Sequence, residues 1–205
     1  MDLIPFVLAA TVLAITPGPG IAYVVARTIS GGRAEGLASC LGTSLGGLVH
    51  VLGASLGLSL LIAKSAMAFN LLKYIGAAYL VYLGVRILRN TEQSFEMRPV
   101  PSRGSRRALI EGIVVETLNV KTAIFFLAFL PQFITPQEPL VAQFVLLGCI
   151  CVALNTFVDI AAVSTAHTLL KSDLTSKARA KLLNRLSGVT MICIGAFLAF
   201  ARRQP

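Results

Sequence analysis

The sequence predicts an all-α integral membrane protein: six transmembrane helices forming two inverted three-helix repeats, within one polytopic domain over residues 1–205. The first helix is interrupted, and the fourth is a candidate for the same. Three observations carry this expectation. Of the 205 residues 56% are hydrophobic and 13% charged, with a mean hydropathy of +0.80; a soluble domain carries about 25% charged residues. Several apolar runs reach the roughly 20 residues that a bilayer core of about 30 Å demands. The longest polar break, "RNTEQSFEMRPVPSRGSRR", divides the chain into halves 1–88 and 108–205, joined by a linker at 89–107. With three spans per half, a second repeat must enter the membrane upside down, a usual construction of secondary transporters.

The first span, 3–25, contains "LAITPGPGIAYVV" from Leu13 to Val25. Pro17 and Pro19 lack amide hydrogens, and their rings clash with the carbonyls of Leu13 and Ile15. Gly18 and Gly20 permit backbone angles that other residues resist. The helix should break here, and a break in hydrocarbon is tolerated only against protein or a water-filled cavity. A new half-helix would then offer the amides of Gly20, Ile21 and Ala22 to an anion such as a carboxylate. Pro17, Gly18, Pro19, Gly20 and Ile21 are therefore expected to bind substrate; a packing kink without a ligand is the alternative. The loop 26–36 follows.

The second span, 37–62, is rich in small residues, with Gly42 and Gly46, then Gly53 and Gly57, at the G-x-x-x-G spacing that lets helices approach closely. His50 lies near its middle. It is either a hydrogen-bonded core residue or, with an ordinary pKa of about 6.5, a proton relay. After the short loop 63–65, the third span, 66–88, carries Gly76 and Gly84, also expected at packing contacts.

The fourth span, 108–131, is interrupted by "ETLNVK". A charge at the centre of a membrane helix costs about 2.5–3.5 kcal/mol on insertion scales. Lys121 therefore implies a partner or a solvated pathway. Glu116, five residues earlier, lies off its face; Asp159 in the fifth span, 140–166, is the better partner and shares one helix face with Asn155. Two readings stay open. One is a buried ion pair joining the fourth and fifth spans. The other is proton exchange at Glu116 or Asp159 with Lys121 as counter-charge, and with Asn155 and His50 beside them. Asn119 and Lys121 join the expected substrate site. Phe125, Phe126 and Phe129 suit a core or lipid-facing cluster. Beyond the Pro-bracketed loop 132–139 and the fifth span, "LKSDLTSKARAKLLNRL" alternates basic and leucine positions, which predicts a short helix along the membrane surface over 167–183. The sixth span is 184–201.

Of 18 Lys and Arg residues, 13 fall in or beside the first, third and fifth loops, and only Lys64, Lys73, Arg202 and Arg203 on the opposite side. Positive loops stay in the cytoplasm, so both termini are expected outside. That distribution also explains the net charge of +9 without nucleic acid. A cleaved signal peptide fits poorly, since Asp2 rather than a basic cluster precedes the first run. Cys40, Cys149, Cys151 and Cys193 form no C-x-x-C centre and are expected as small buried residues. No close-spaced metal-ligand set and no G-x-x-x-x-G-K-[ST] loop occur. No cofactor, metal or catalytic residue is expected.

The whole chain resembles the lysine-exporter (LysE/RhtB) family of bacterial amino-acid efflux proteins. The resemblance runs through "TPGPG", the Gly-rich second span with His50, "LKYIGAAYLVYLGVRILR" from Leu72, "NVKTAIFFLAFLPQF" from Asn119 and "RLSGVTMICIGAFLA" from Arg185. It implies an exporter in the bacterial cytoplasmic membrane, with an amino acid or close derivative as substrate. Proton antiport, membrane lipid as surroundings and contacts between copies of the chain are the accompanying expectations. Export of another solute or a metal ion, or a membrane thiol oxidoreductase using Cys149 and Cys151, are the competing classes. The family pattern in the fourth span is usually Asn-Pro-Lys; here it is Asn119-Val120-Lys121, so the fourth helix need not break as sharply as the first.

Overall fold

A computed structural model describes residues 3–58, 66–89, 101–135, 137–171 and 177–200, and every regular element among them is helical. Helix α1 (Leu3–Ile15) stops at the Pro-Gly stretch, and α2 (Pro19–Gly53) begins at once, with Pro19 in its first turn. Proline suits that position, because a first-turn amide has no helical acceptor. Helix α2 continues through one π-helical turn, Ala54–Leu58. Then come α3 (Ala66–Arg89) and α4 (Ser105–Thr117). The short α5 (Val120–Ile124) runs on through a π turn, Phe125–Phe129, and a 3-10 turn, Leu130–Phe133. Helices α6 (Leu140–Lys171) and α7 (Lys177–Phe200) complete the fold.

Two expectations about loops are corrected. The stretch 26–36 is helical except at Gly32, whose φ of 75° and ψ of −171° fold α2 back on itself. The fold-back is tight: a Cβ on Gly36 would collide with Thr28 Oγ1. Gly32 occupies a backbone region that is essentially closed to other residues. Gly32→Ala is therefore expected to destabilise the protein by about 1–3 kcal/mol, read as a fall in unfolding temperature in detergent. The second correction concerns 167–183. Its described residues extend α6 to Lys171 and open α7 at Lys177, so they form no separate surface helix. The loop 63–65 and most of the linker, 90–100, lie outside the described residues, as do residues 1–2 and 201–205.

Among the described residues, Pro19–Leu58 and Leu140–Ala166 each have the length and composition to cross a bilayer, the first of them folded at Gly32. The pair Ser105–Thr117 and Val120–Phe133, bent by 43°, makes a third. The break at Pro17–Gly18 leaves α1 a shorter apolar helix on its own, and Gly188–Phe200 is another. The outer face carries Ile4, Leu8, Met67, Phe157 and Phe200, each more than 60% exposed, as lipid-facing side chains should be.

Small residues set the helix crossings. A Cβ on Gly42 would collide with the carbonyl oxygen of Leu109, so α2 and α4 touch backbone to backbone. Gly46 and Gly112 extend this contact. Gly84 and Gly188 do the same for α3 and α7, and Gly76 makes room for Ala128. Among the described residues, Gly53 and Gly57 meet nothing within 4 Å and make no such helix contact. They lie beyond Gly46, which already faces the last residues of α4.

The two broken helices cross antiparallel. Phe6 meets Phe133, Lys121 reaches Leu13 and Thr16, Gly20 lies against Glu116, and Arg27 pairs with Glu111. As residue numbers rise along one, they fall along the other. One end of this crossing is filled by Phe6, Phe125 and Phe129, all buried with Phe126 in the apolar core.

Candidate functional site

The two interruptions meet halfway along the crossing. At the first, α1 runs into prolines that bring no amide: the carbonyl of Leu13 accepts the Thr16 amide (3.2 Å), and that of Thr16 has no backbone donor among the described residues. Lys121 serves both: its Nζ donates to the carbonyl oxygens of Leu13 (3.1 Å) and Thr16 (2.9 Å). A cation at a helix C-terminus also meets the negative end of its dipole. Gly18 leaves space for this side chain, since a Cβ there would stand 3.1 Å from Lys121 Cε and Nζ.

The expected ion pair is thus corrected. Among the described residues no carboxylate oxygen lies within 4.0 Å of the Lys121 ammonium. Peptide oxygens freed by the first break take that place. The ammonium has three donors and two are engaged, which leaves one for the cavity it borders.

The second interruption forms without the family's proline. Asn119, in extended conformation (φ −72°, ψ 100°), caps α5 by accepting the amide of Lys121 on Oδ1 (3.1 Å). Its Nδ2 donates to Glu116 Oε2 (2.9 Å), and Thr122 Oγ1 donates to Glu116 Oε1 (2.6 Å). Asparagine is among the best N-caps, so the cap ends one helix and starts the next where a proline would otherwise do so. Val120 holds the first helical position, which tolerates proline, and Asn119 already has the geometry that a following proline imposes. Val120→Pro should keep fold and transport and gain about 0.4–1 kcal/mol, visible as an equal or higher unfolding temperature.

Glu116 is buried, and its carboxylate lies against the start of α2: a Cβ on Gly20 would be 2.6 Å from Oε2. The amide of Ala22 closes the first turn on Gly18 (3.0 Å). The positive end of α2 therefore already faces a carboxylate of the protein itself, where the sequence placed that of a substrate. Asp159 stands across the cavity. Thr43 Oγ1 is 2.9 Å from Asp159 Oδ2 and 2.9 Å from the carbonyl of Cys40, so its proton is shared. Asp159 Oδ1 has no hydrogen bond among the described residues.

Of the predicted site residues, Gly20, Ile21, Glu116, Asn119, Lys121, Asn155 and Asp159 line one cavity. Pro17, Gly18 and Pro19 shape the break without lining it. Asn155 shares the wall with Asp159 and donates back to the carbonyl of Cys151 (2.9 Å). His50 stands one layer away, donating from Nε2 to the carbonyl of Glu116 (2.8 Å) and so capping α4. The cavity is about 20 Å³, room for one or two water molecules and not for an amino acid. In this conformation the site is too narrow for a substrate.

The hydroxyls of Thr43, Ser44, Thr122 and Thr156 were not expected there. Ser44 and Thr156 hydrogen-bond across α2 and α6 at 2.6 Å. The signal for Thr43 and Ser44 lies in "CLGTSLGG", where polar residues fall between helix-packing glycines. The cysteines also differ from expectation. Cys40 and Cys151 are buried, but Cys149 and Cys193 are exposed, because a spacing of two residues puts Cys149 and Cys151 on different sides of α6.

Comparison with known proteins identifies the family. The chain is 31% identical over 198 residues to the homoserine/homoserine lactone efflux protein of Salmonella typhimurium, covering 96% of this chain and 95% of that one. The Salmonella typhi protein of the same description gives the same identity and coverage. An uncharacterized membrane protein of Vibrio cholerae is 29% identical over 201 residues, covering 96% of each chain. No solved structure matches. The LysE type translocator model matches residues 11–202, and the chain belongs to that family of membrane transport proteins.

Proposed function

We propose that this protein exports a small amino acid or amino-acid derivative across the bacterial cytoplasmic membrane in exchange for protons. The reading includes six spans in two inverted halves, 1–88 and 108–205, with the basic loops inside and both termini outside. The observation that carries it is that a charged donor and a charged acceptor, each with unused capacity among the described residues, border a single cavity: the third hydrogen of Lys121 and Oδ1 of Asp159. A substrate with an α-ammonium beside a carbonyl oxygen satisfies both. Homoserine has that pattern, and so does its lactone, which retains the ammonium and a carbonyl oxygen but no carboxylate. Both appear in the description of the Salmonella relatives.

Charge supports the same assignment. Glu116 and Asp159 face one ammonium, so the empty site has a net negative charge when both are ionised. A protonated amine, or a proton in its absence, restores the balance. Occupancy by one or the other is the condition for antiport. Alternating access then comes from one half rocking against the other around the crossing, which also enlarges the narrow cavity.

The test is transport into inverted membrane vesicles with and without an imposed pH gradient. Labelled homoserine, threonine, leucine and lysine are compared, with unlabelled homoserine lactone and N-acetylhomoserine as competitors. Gradient-dependent uptake of at least one amino acid is expected. The lactone should compete and the N-acetyl compound, which has no ammonium, should not. Equal competition by both would remove Asp159 as the amine site.

A further inference from the structure

We propose that Arg27, Glu35 and Glu111 form the gate that closes the cavity toward the cytoplasm, and that this gate opens more readily than the seal at the other end. The side chain of Arg27 is 2% exposed. Its Nη2 pairs with Glu111 Oε2, its Nη1 donates to the carbonyl of Pro101 (3.2 Å) and lies 3.8 Å from Glu35 Oε2, and its Nε donates to Tyr23 Oη (3.2 Å). Tyr23 in turn donates to the carbonyl of Ala108 (2.9 Å). Glu35 Oε1 accepts from the Ser102 hydroxyl and from the amides of Arg103 (3.2 Å) and Gly104 (2.8 Å). Gly104, at φ 81°, turns the chain into α4. Glu111 Oε1 is held by Arg107 (2.9 Å) and Arg103 (3.3 Å), both exposed. The cluster ties the α2 fold-back to the entry of α4, which means that it joins the two halves of the chain.

The opposite end of the same crossing is closed by stacked aromatic rings. Phe6 stacks edge-on against Phe133 at 5.3 Å and tilts against Phe125 at 6.3 Å; Phe125 stacks on Phe129 at 4.9 Å. These two seals respond differently to water. Pulling charges from water into a protein offsets most of their mutual attraction, so a buried pair and the same groups separated and hydrated differ little in free energy. Exposing apolar area costs about 25 cal/mol per Å², with no compensation from hydration. The ionic end is therefore the one that water opens first. The basic loops place it in the cytoplasm, the side from which an exporter loads. The inference rests on the transport reading above, but its test needs no substrate.

Ser44, on the cavity wall, becomes a reporter as Ser44→Cys in a full-length chain whose four cysteines are replaced by serine. A membrane-impermeant maleimide is applied to inverted vesicles, with the cytoplasmic face outward, and to right-side-out vesicles. Adding Glu111→Gln should speed labelling by about fivefold or more from the cytoplasmic face and leave the other face unchanged; Arg27→Lys, which keeps the charge but not the fork, should fall between. Equal acceleration from both faces, or none, would overturn the gate. Should Glu111→Gln fail to give folded protein on size exclusion, a second variant decides. Glu35→Cys with Ser102→Cys, bridged by a short cleavable cross-linker before the maleimide is added, should block cytoplasmic labelling of the Ser44→Cys reporter, and cleavage should restore it. Undiminished labelling while bridged would also overturn the gate.

Discussion

Lys121→Met is expected to yield a folded protein that no longer transports. Methionine matches the lysine stem closely in length and volume, so packing against Gly18 is kept. Two effects on stability oppose each other. The carbonyl of Thr16 loses its donor, at about 1–3 kcal/mol for a buried unsatisfied group, while that of Leu13 keeps the Thr16 amide (3.2 Å). A charge is also removed from the middle of a membrane helix, which relieves about 2.5–3.5 kcal/mol. The two nearly cancel, so the unfolding temperature in detergent should move by only a few degrees. Transport has no such compensation, because the ammonium that lines the cavity is gone. Lys121→Arg should fail too: a guanidinium is broader than the space beside Gly18, where the ammonium already fits closely. Vesicle uptake of the substrate at background level in both variants is the expected reading. Uptake near the wild-type rate in Lys121→Met would assign Lys121 to the architecture alone.

The same residue shows what the sequence could convey. That Lys121 needed a reason to be buried was legible from its cost in hydrocarbon. Its partners were not, because peptide oxygens leave no residue-type signature, whereas the carboxylates of Glu116 and Asp159 do. The first break was legible since Pro17 and Pro19 remove donors wherever they stand. The second was ambiguous without its proline, although the Asn119 cap that makes it was in plain view. Arg27 was counted as a loop charge, for its partner Glu111 is 84 residues away and local spacing reports only on neighbours within a helix. The polar break at 26–36 reads as a loop, and nothing in it shows that helix continues on both sides of Gly32. The crossing of the two broken helices depends on all of these contacts at once, and so it emerges only in three dimensions.

Asp159→Asn is expected to separate proton coupling from folding. Asparagine is isosteric, and its Oδ1 can accept the Thr43 hydroxyl that now serves Asp159 Oδ2 at 2.9 Å. Removing a buried charge at this depth relieves desolvation, so folding should be unharmed or improved. The altered property is the negative charge that an amine or a proton must neutralise in turn. Once it is absent, nothing obliges the carrier to return protonated, and an imposed pH gradient should no longer drive uptake in inverted vesicles. Affinity should fall as well, since an ammonium loses a charged partner worth roughly 1.5–3 kcal/mol, or about 10-fold to 100-fold in binding. Glu116→Gln makes the contrast. Its oxygens are already engaged by Asn119 and Thr122, and the Thr122 hydroxyl can reverse to accept from the new amide. With Glu116 committed to the start of α2 and Asp159 open to the cavity, Glu116→Gln should retain gradient-driven uptake at a reduced rate where Asp159→Asn loses it. Gradient-driven uptake that survives in Asp159→Asn but disappears in Glu116→Gln would transfer the coupling role to Glu116, and with it the site at which the amine and the proton compete.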